Sequence, residues 1–345
     1  MTSPFDPDAV AAPGSGLFGL SSTPEESLVH VIAAPFDATS SYGSGSAAGP
    51  EAILRASRQV DLHDPEWGNP WQAGIYYHAD DGEIWGLNEE ARPLAEEMRA
   101  RAGSATQPET SRALERVNAL SEELNRVVYA RVASALDAER RPILLGGDHS
   151  VSFGAILAAS ERHPGLGLLH IDAHADLRPA YEGFTCSHAS ILYKLFSQLG
   201  DLGPILQVGL RDLGEGERET IDANPERIHA VFDSTWSRAR LEGRDLASFV
   251  RDSLASLPEE VWITFDVDGL DPALCPHTGT PVPGGLTWAE AMLWLEELRL
   301  SGREVVGCDL VEVAPGPALS GGDSWDAIVG ARLLYRLAGT ILSRT

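Results

Sequence analysis

The sequence contains few cysteines and no long apolar segment. Its three cysteines, Cys186, Cys275 and Cys308, lie far apart and form no CxxC pair. We therefore expect a reduced, cytoplasmic protein without a disulfide framework. No run of about 18 apolar residues occurs, which argues against a transmembrane helix and a membrane partner. The N-terminus has neither a basic nor a sustained apolar segment, so it does not predict a signal peptide.

Basic residues are also scarce. There are 26 lysines and arginines against 51 aspartates and glutamates, and the formal net charge is −25. A nucleic-acid partner needs a basic face, so this composition argues against one. The excess negative charge instead suits a cationic small molecule through long-range attraction. The glycine-rich residues 43–49 lack the spacing of a dinucleotide-binding loop and predict no nucleotide site.

What the chain does contain is a regular alternation of strand and helix patterns. With 345 residues, of which 43% are hydrophobic, it is long enough for one large α/β domain. Apolar runs occur at residues 28–36, 141–147, 165–172, 204–210, 227–233, 260–268 and 304–312. The pattern predicts a three-layer α/β/α sandwich with a mainly parallel sheet. We expect a loosely ordered arm over residues 1–27, a single domain over residues 28–345, and an irregular aromatic-rich excursion near residues 60–115.

Ionisable side chains stand where several of these strands should end. They are His149, Asp172, His174, Asp176, Asp266, Asp268 and Glu312. In open parallel sheets, ligands bind beyond the carboxyl ends of the strands, and alternate residues of an extended chain point the same way. Asp172, His174 and Asp176 can therefore face one cavity, as can Asp266 and Asp268.

Two histidines and four aspartates of this set are too many ligands for one metal ion that keeps an open coordination position. Clustered carboxylates in a crevice repel one another, and divalent cations remove that cost. Two ions that share bridging carboxylates fit this number of ligands, and oxygen-rich ligands favour manganese over zinc. We predict two Mn²⁺ ions per chain, held by His149, Asp172, His174, Asp176, Asp266 and Asp268.

Several motifs resemble the ureohydrolase family of arginases and agmatinases. They are GGDHS at 146–150, DAHAD at 172–176, SHAS at 187–190, FDVDGLDPALCPHTGTPVPGGL at 265–286 and DLVEVAP at 309–315. The resemblance extends over about residues 28–340, except for the 60–115 region. It implies an arginase-like fold, a two-manganese site and a hydrolase that acts on linear amidines. It also implies a homo-oligomer, a trimer or a hexamer.

The resemblance further implies a role for each site residue. One ion is held by His149, Asp172, Asp176 and Asp266, and the other by Asp172, His174, Asp266 and Asp268. A water activated by the two ions attacks the guanidinium carbon of the substrate, and urea and an amine leave. Asp176 relays a proton to the leaving amine, His188 is a proton shuttle or hydrogen-bonding partner near it, and Glu312 anchors the guanidinium.

The loop DLRPAYEGFTCSHAS, residues 176–190, resembles agmatinases of the Bacillus and archaeal type. It departs from many family members in having Ala189 and Ser190, not Gly-Thr, after His188. The resemblance favours agmatine as substrate, with putrescine as product in polyamine biosynthesis. Arginine, guanidinobutyrate, aminopropyl-agmatine and guanidine remain alternative substrates.

Two other classes of protein share features with this sequence. A zinc-dependent deacetylase has the arginase-like fold but needs one metal ion and about three protein ligands. The complete set of six ligands disfavours that interpretation. A non-catalytic homologue would have lost ligands, and none is missing here.

Overall fold

The computed structural model describes residues 5–12, 14–100, 108–320 and 322–343. Within them, the chain forms eight strands: β1 (Val29–Ala34), β2 (Ile75–His78), β3 (Arg141–Gly146), β4 (Gly167–Ile171), β5 (Ile205–Leu210), β6 (Ile228–Phe232), β7 (Glu260–Asp266) and β8 (Glu304–Val311). They make one sheet in the order β2-β1-β3-β8-β7-β4-β5-β6. Every pair of neighbouring strands is parallel.

Helices connect most of the strands. Those in the described residues are α1 (Gly49–Ala56), α2 (Glu83–Ala100), α3 (Pro108–Asp137), α4 (Ser152–Ser160), α5 (Ile191–Gln198), α6 (Glu215–Ala223), α7 (Asp233–Leu241), α8 (Leu246–Leu254), α9 (Trp288–Leu300) and α10 (Trp325–Ile341). Helices α1 and α7 to α10 contribute to one apolar cluster, and α2 to α6 contribute to another.

The strands separate these two clusters because successive side chains point to opposite faces. In β3, Ile143 and Leu145 belong to one cluster and Leu144 belongs to the other. Both faces of the sheet are therefore covered, which is why its strands are apolar without alternation. The three-layer α/β/α sandwich predicted from the sequence is confirmed.

The region around residues 60–115 contains more regular structure than the sequence pattern indicated. Strand β2 lies there and pairs with β1 at the edge of the sheet. It spans four residues, of which Ile75 alone is buried, so its sequence lacks the continuous apolar pattern of the inner strands. Helices α2 and α3 make up much of the rest, and residues 101–107 lie outside the described residues.

The predicted N-terminal arm also contains a packed segment. Leu17, Phe18 and Leu20 are 1 to 4% exposed and belong to the apolar cluster beside α1 and α10. A 3-10 turn at Leu17–Gly19 presents two of them to the core. The extent of the single domain stays a prediction. Among the described residues, no helix is both long and apolar enough to cross a membrane.

Candidate active site

Four neighbouring strands end at the same edge of the sheet and bring the predicted residues together. Strands β3, β8, β7 and β4 lie side by side in that order. Beyond their carboxyl ends stand His149 after β3, Glu312 after β8, Asp266 and Asp268 at the end of β7, and Asp172, His174 and Asp176 after β4. Apart from His174, which is partly buried, all of these side chains are buried. The sequence prediction of their convergence agrees with this geometry.

The first group of side chains surrounds His149. Its Nδ1 atom lies 3.1 Å from Oδ2 of Asp172, 3.1 Å from Oδ2 of Asp176 and 3.4 Å from Oδ2 of Asp266. Burial raises the pKa of the Asp266 carboxyl well above its usual value, and the charges of Asp268 and Asp172 raise it further. Negative charge is thus concentrated in a region that is costly for anions.

The tautomer of His149 follows from the hydrogen bonds on its other side. Its Nε2 atom lies 2.8 Å from Oγ1 of Thr264, whose hydroxyl donates to Oδ1 of Asp309 at 2.8 Å. Asp309 also accepts a hydrogen bond from Nε1 of Trp262 at 2.7 Å. Because the Thr264 hydroxyl donates its hydrogen bond to Asp309, its oxygen accepts a hydrogen bond from Nε2–H of His149. The Nδ1 atom of neutral His149 therefore carries a lone pair.

This lone pair has no hydrogen-bond partner within the described residues, although Nδ1 is buried. It faces three carboxylates, which is an unfavourable arrangement unless a cation lies between them. Without a metal cation, a proton on Nδ1 can take that place: burial opposes protonation of His149, but its contacts with Asp172, Asp176 and Asp266 prevail and raise its pKa well above the usual value. One imidazole nitrogen with several carboxylate oxygens is a donor set that fits a divalent metal ion.

A second group lies on the other side of Asp172. The Nδ1 atom of His174 is 3.0 Å from Oδ2 of Asp268 and 3.4 Å from Oδ1 of Asp172. Burial lowers the pKa of His174, but Asp268 and Asp172 outweigh it and raise the pKa to about 12. Asp172 thus directs Oδ2 to the first group and Oδ1 to the second, as a carboxylate shared by two metal ions would. These three residues also form a cluster with metal-binding spacing.

Local backbone geometry holds the ligands in place. The backbone N–H of His174 donates to Oδ1 of Asp172 at 2.6 Å, and that of Asp268 donates to Oδ1 of Asp266 at 2.8 Å. Asp176 has a φ of 54°, a left-handed conformation that is uncommon for residues other than glycine. It turns the chain after β4, so that Asp172 and Asp176 both approach His149.

His170 also belongs to the first group, although it is absent from the residues predicted from the sequence. Its Nε2 atom lies 2.9 Å from Oδ2 of Asp172, and its Nδ1 atom lies 3.1 Å from Nε2 of Gln207. Because the Gln207 amide donates to Nδ1, the Nε2 atom of His170 carries the proton and donates it to Asp172. The available signal was spacing, since residues 170 and 172 of an extended strand point the same way.

Glu312 stands beside the metal-binding groups but belongs to neither. Its Oε1 atom accepts a hydrogen bond from the backbone N–H of His149 at 3.0 Å. Its Oε2 atom is buried and has no hydrogen-bond partner among the described residues. A Cβ atom at Gly279 would lie 3.3 Å from Oε2, so a glycine there keeps space beside this oxygen. Burial, then the charges of Asp266 and Asp148, raise the pKa of Glu312 well above its usual value.

A cavity of about 280 Å³ opens above the groups. His174, Asp176 and His188 line it together with Ser41, Tyr42, Arg178, Tyr181, Ala189, Asp212, Glu217, Thr280, Pro281 and Val282. Burial, then the charge of His174, lower the pKa of His188 to about 3. The Nδ1 atom of His188 has no hydrogen-bond partner within the described residues. A neutral imidazole is therefore available at the wall of the cavity.

Comparison with known proteins identifies the family of this chain. The model of the Arginase family matches residues 27–339. The chain is 33% identical to the N(1)-aminopropylagmatine ureohydrolase of Thermus thermophilus over 325 residues, which cover 94% of each chain. It is 30% identical to the agmatinase of Bacillus cereus, over 84% of this chain and 85% of that one.

The fold is also found among solved structures. The proclavaminate amidino hydrolase from Streptomyces clavuligerus has a TM-score of 0.72 at 23% identity, over 98% of this chain and 100% of that chain. At this identity the likeness concerns the fold, and the family model and the curated relatives carry the assignment. The chain belongs to the arginase family, hydrolases that act on guanidino compounds.

Proposed function

We propose that this chain is a binuclear manganese ureohydrolase whose substrate is agmatine, which it converts to urea and putrescine. The observation that carries the proposal is the pair of buried histidine–aspartate groups joined by Asp172. N(1)-aminopropylagmatine is the second candidate substrate, because a relative of that name covers 94% of the chain at 33% identity. Both molecules combine a guanidinium with a cationic tail.

The donor set supports two Mn²⁺ ions held by His149, Asp172, His174, Asp176, Asp266 and Asp268. Asp172 has an oxygen in each group. Asp266 contacts the first group through His149, and its sharing between both ions belongs to the proposal. When bound, the two ions would polarise the substrate and make a water acidic enough to act as a nucleophile near neutral pH.

Asp176 is assigned to proton transfer, and His188 is assigned to the leaving amine. Asp176 lines the cavity beside the first group, with its Oδ2 atom 3.1 Å from Nδ1 of His149, and a carboxylate in that position can relay a proton to the leaving amine. His188, with its pKa lowered to about 3, is neutral at pH 7. It therefore serves the leaving amine as a hydrogen-bonding partner and not as a general acid that is already protonated.

Glu312 is assigned to the guanidinium. Its Oε1 atom is fixed by the backbone of His149, and its Oε2 atom is free to accept. A carboxylate matches the paired donors of a planar guanidinium and gains from the charge. Glu312 would bind substrate while touching neither metal ion.

The charges at the mouth of the cavity favour a cationic tail. Arg178 is paired with Glu217 at 3.3 Å, and Glu217 also accepts from the backbone N–H groups of Leu177 and Gly214. The exposed side chain of Asp212 lines the same cavity and has no hydrogen bond or ion pair among the described residues. A free carboxylate there attracts an ammonium and repels the carboxylate of a guanidino acid.

A urea-release screen with the manganese-loaded full chain tests the proposal. The substrates are agmatine, aminopropyl-agmatine, arginine, guanidinobutyrate and guanidine at equal concentration. We expect the highest kcat/KM for agmatine, followed by aminopropyl-agmatine. A preference for guanidinobutyrate or arginine would overturn the assignment of a cationic tail. Absence of urea with all five substrates would overturn the ureohydrolase function.

Assembly and location extend the same proposal. We expect a cytoplasmic homo-oligomer, a trimer or a hexamer, that works in polyamine biosynthesis. Light scattering at micromolar concentration should give a multiple of the chain mass of 36.9 kDa. A mass of one chain under these conditions would reject the oligomer.

A further inference from the structure

Two loops form opposite walls of the cavity. The β1 loop, residues 35–45, carries Ser41 and Tyr42, and the histidine loop, residues 177–188, ends at His188. They meet at the histidine, whose backbone N–H donates to Oγ1 of Thr39 at 3.2 Å and whose Nε2 lies 3.4 Å from Oγ of Ser41. The relative position of the two loops therefore sets where His188 stands.

Helix α2 holds the β1 loop through Asp37. This buried carboxylate accepts hydrogen bonds from Nη1 of Arg92 at 2.5 Å and from the side chain of Asn88 at 3.3 Å. Its other oxygen accepts from the backbone N–H of Gly45 at 2.8 Å. One side chain thus joins the beginning of the loop, the end of the loop and the helix.

The histidine loop is anchored to α2 and α3 by Phe184. Its fully buried ring packs with Ala95, Met98 and Val117 in an apolar cluster separate from the main core. Backbone hydrogen bonds in both directions join Phe184 to Tyr181. The Tyr181 ring lies edge-on to the His188 ring, with centroids 5.7 Å apart. The helix pair therefore supports the residues next to the catalytic histidine.

Arg99, near the end of α2, contacts both loops. Its Nε atom donates to Oε2 of Glu182 in the histidine loop at 2.6 Å, and its Nη2 atom donates to the carbonyl oxygen of Ala38 in the β1 loop at 3.2 Å. Its guanidinium also lies 5.5 Å from the centroid of the Phe184 ring. A planar guanidinium can hold two acceptors at a fixed separation, which a single ammonium does not.

We propose that Arg99 is a positioning residue that fixes the distance between the two loops and so places His188 and the cavity walls for the substrate. Its effect on turnover rests on the proposed function, whereas its effect on loop order does not. Arg99 touches neither the metal-binding groups nor the cavity, so its removal should leave metal binding intact. It lies in the 60–115 region, over which the resemblance of the motifs did not extend.

The experiment compares Arg99→Ala with Arg116→Ala in the manganese-loaded full chain. Arg116 is a matched control because its Nε donates to Oε1 of Glu90 at 2.6 Å, which joins α3 to α2, and among the described residues it makes no hydrogen bond or ion pair with either loop. Hydrogen–deuterium exchange is measured over residues 36–45 and 178–188. We expect exchange about 10-fold faster in both segments for Arg99→Ala and no change for Arg116→Ala. Unchanged exchange in Arg99→Ala would overturn the proposal.

Kinetics on the preferred substrate give the second readout. For Arg99→Ala we expect KM to rise about 10-fold, kcat to fall less, and the metal content to stay at the wild-type value. Glu182→Gln should act in the same direction, and the double variant should be no worse than Arg99→Ala alone. If the increases in KM of the two single variants multiplied in the double variant, the two residues would act independently, which would contradict the proposal.

The conservative variant Arg99→Lys separates geometry from charge. A lysine keeps the positive charge but cannot hold Glu182 and Ala38 together, so we expect exchange and KM between those of wild type and Arg99→Ala. Full restoration by lysine would show that charge alone suffices and would overturn the two-loop contact. If the wild-type chain released no urea, the proposed function would fail, and the exchange data would still decide the role of Arg99.

Discussion

The metal centre and the rim of the cavity are built in different ways. The rim consists of the β1 loop, residues 35–45, and the histidine loop, residues 177–188. In the centre, the ligands stand within a few residues of a strand end, and Asp172 and Asp266 are each oriented by a backbone N–H two positions along the chain. At the rim, the contacts join distant parts of the chain. Arg99 and Glu182 are 83 residues apart, and Asp37 and Arg92 are 55 apart.

This difference separates the residues that bind metal and support turnover from the residues that control substrate binding. The sheet fixes the centre, because four parallel strands end side by side. The rim depends on α2 and α3, which pack on one face of the sheet and contact the loops from outside. Changes in the centre should therefore remove metal ions and abolish turnover, whereas changes at the rim should alter substrate binding with the ions retained.

The largest expected effect is that of Asp172→Ala. Asp172 directs one oxygen to each group, so its loss should release both ions. We expect urea release to fall by at least about 10³-fold, since residues that act as a unit fail together. Metal analysis and activity of the same sample provide the measurement. Retention of both ions would contradict the distinction between the centre and the rim, because the shared carboxylate would then be dispensable for metal binding.

Glu312→Gln should have the next largest effect. It keeps the shape of the side chain and removes the charge that binds the guanidinium. A charge-assisted contact contributes about 1.5–3 kcal/mol, which corresponds to a fall in kcat/KM of roughly 10- to 150-fold. Both ions should remain bound. The control is Glu297→Gln, a buried glutamate in α9 that is paired with Arg251 and should leave kcat/KM unchanged. Near-normal kcat/KM in Glu312→Gln would place the guanidinium elsewhere.

Thr264→Val tests the support of His149. The variant keeps the size of the side chain and removes the acceptor for the Nε2 proton of His149. Loss of such a support lowers metal affinity by about 10- to 100-fold. At saturating Mn²⁺, kcat should return close to the wild-type value. A manganese titration followed by urea release measures both quantities, and an unchanged apparent affinity would count against the assigned tautomer.

The smallest effect concerns stability at acid pH and lies outside the site. His78, in edge strand β2, has its pKa lowered to about 4 by burial, and then by His30 and Arg131. The stability contributed by its neutral form is fully present above its ordinary pKa near 6.5 and is lost as pH falls from there through 4. Thermal unfolding of His78→Gln should therefore vary less between pH 6.5 and 4.5 than that of wild type. Equal slopes would reject this contribution.

The sequence predicts the centre well because its rules are local. The sequence pattern predicted that Asp172, His174 and Asp176 meet, although β4 ends at Ile171 and a left-handed turn at Asp176, not continued alternation, brings them together. The position of Glu312 after an apolar run predicted that it stands beside them. His170 was missed because it lies inside strand β4 and its partner Gln207 is on β5. The spacing of residues 170 and 172 indicates that both side chains point the same way, but which nitrogen of His170 carries the proton depends on strand order, which no local pattern specifies.

The rim could not be predicted for the same reason. Arg99 belongs to a helix with ordinary surface composition. Its proposed role depends on contacts with two loops that are distant in sequence and that the fold brings next to it. Strand β2 escaped detection because an edge strand of four residues with one buried side chain has no pattern to recognise. The roles of the individual site residues stay predictions until variants are measured.

The metal stoichiometry of the active enzyme tests the proposed two-ion site most directly. The full chain is reconstituted with Mn²⁺, freed of unbound ions, assayed for urea release and analysed for metal in the same sample. We expect two manganese ions per chain in the active wild-type protein, as two groups joined by Asp172 require. Full activity with one ion per chain would contradict the two-ion site.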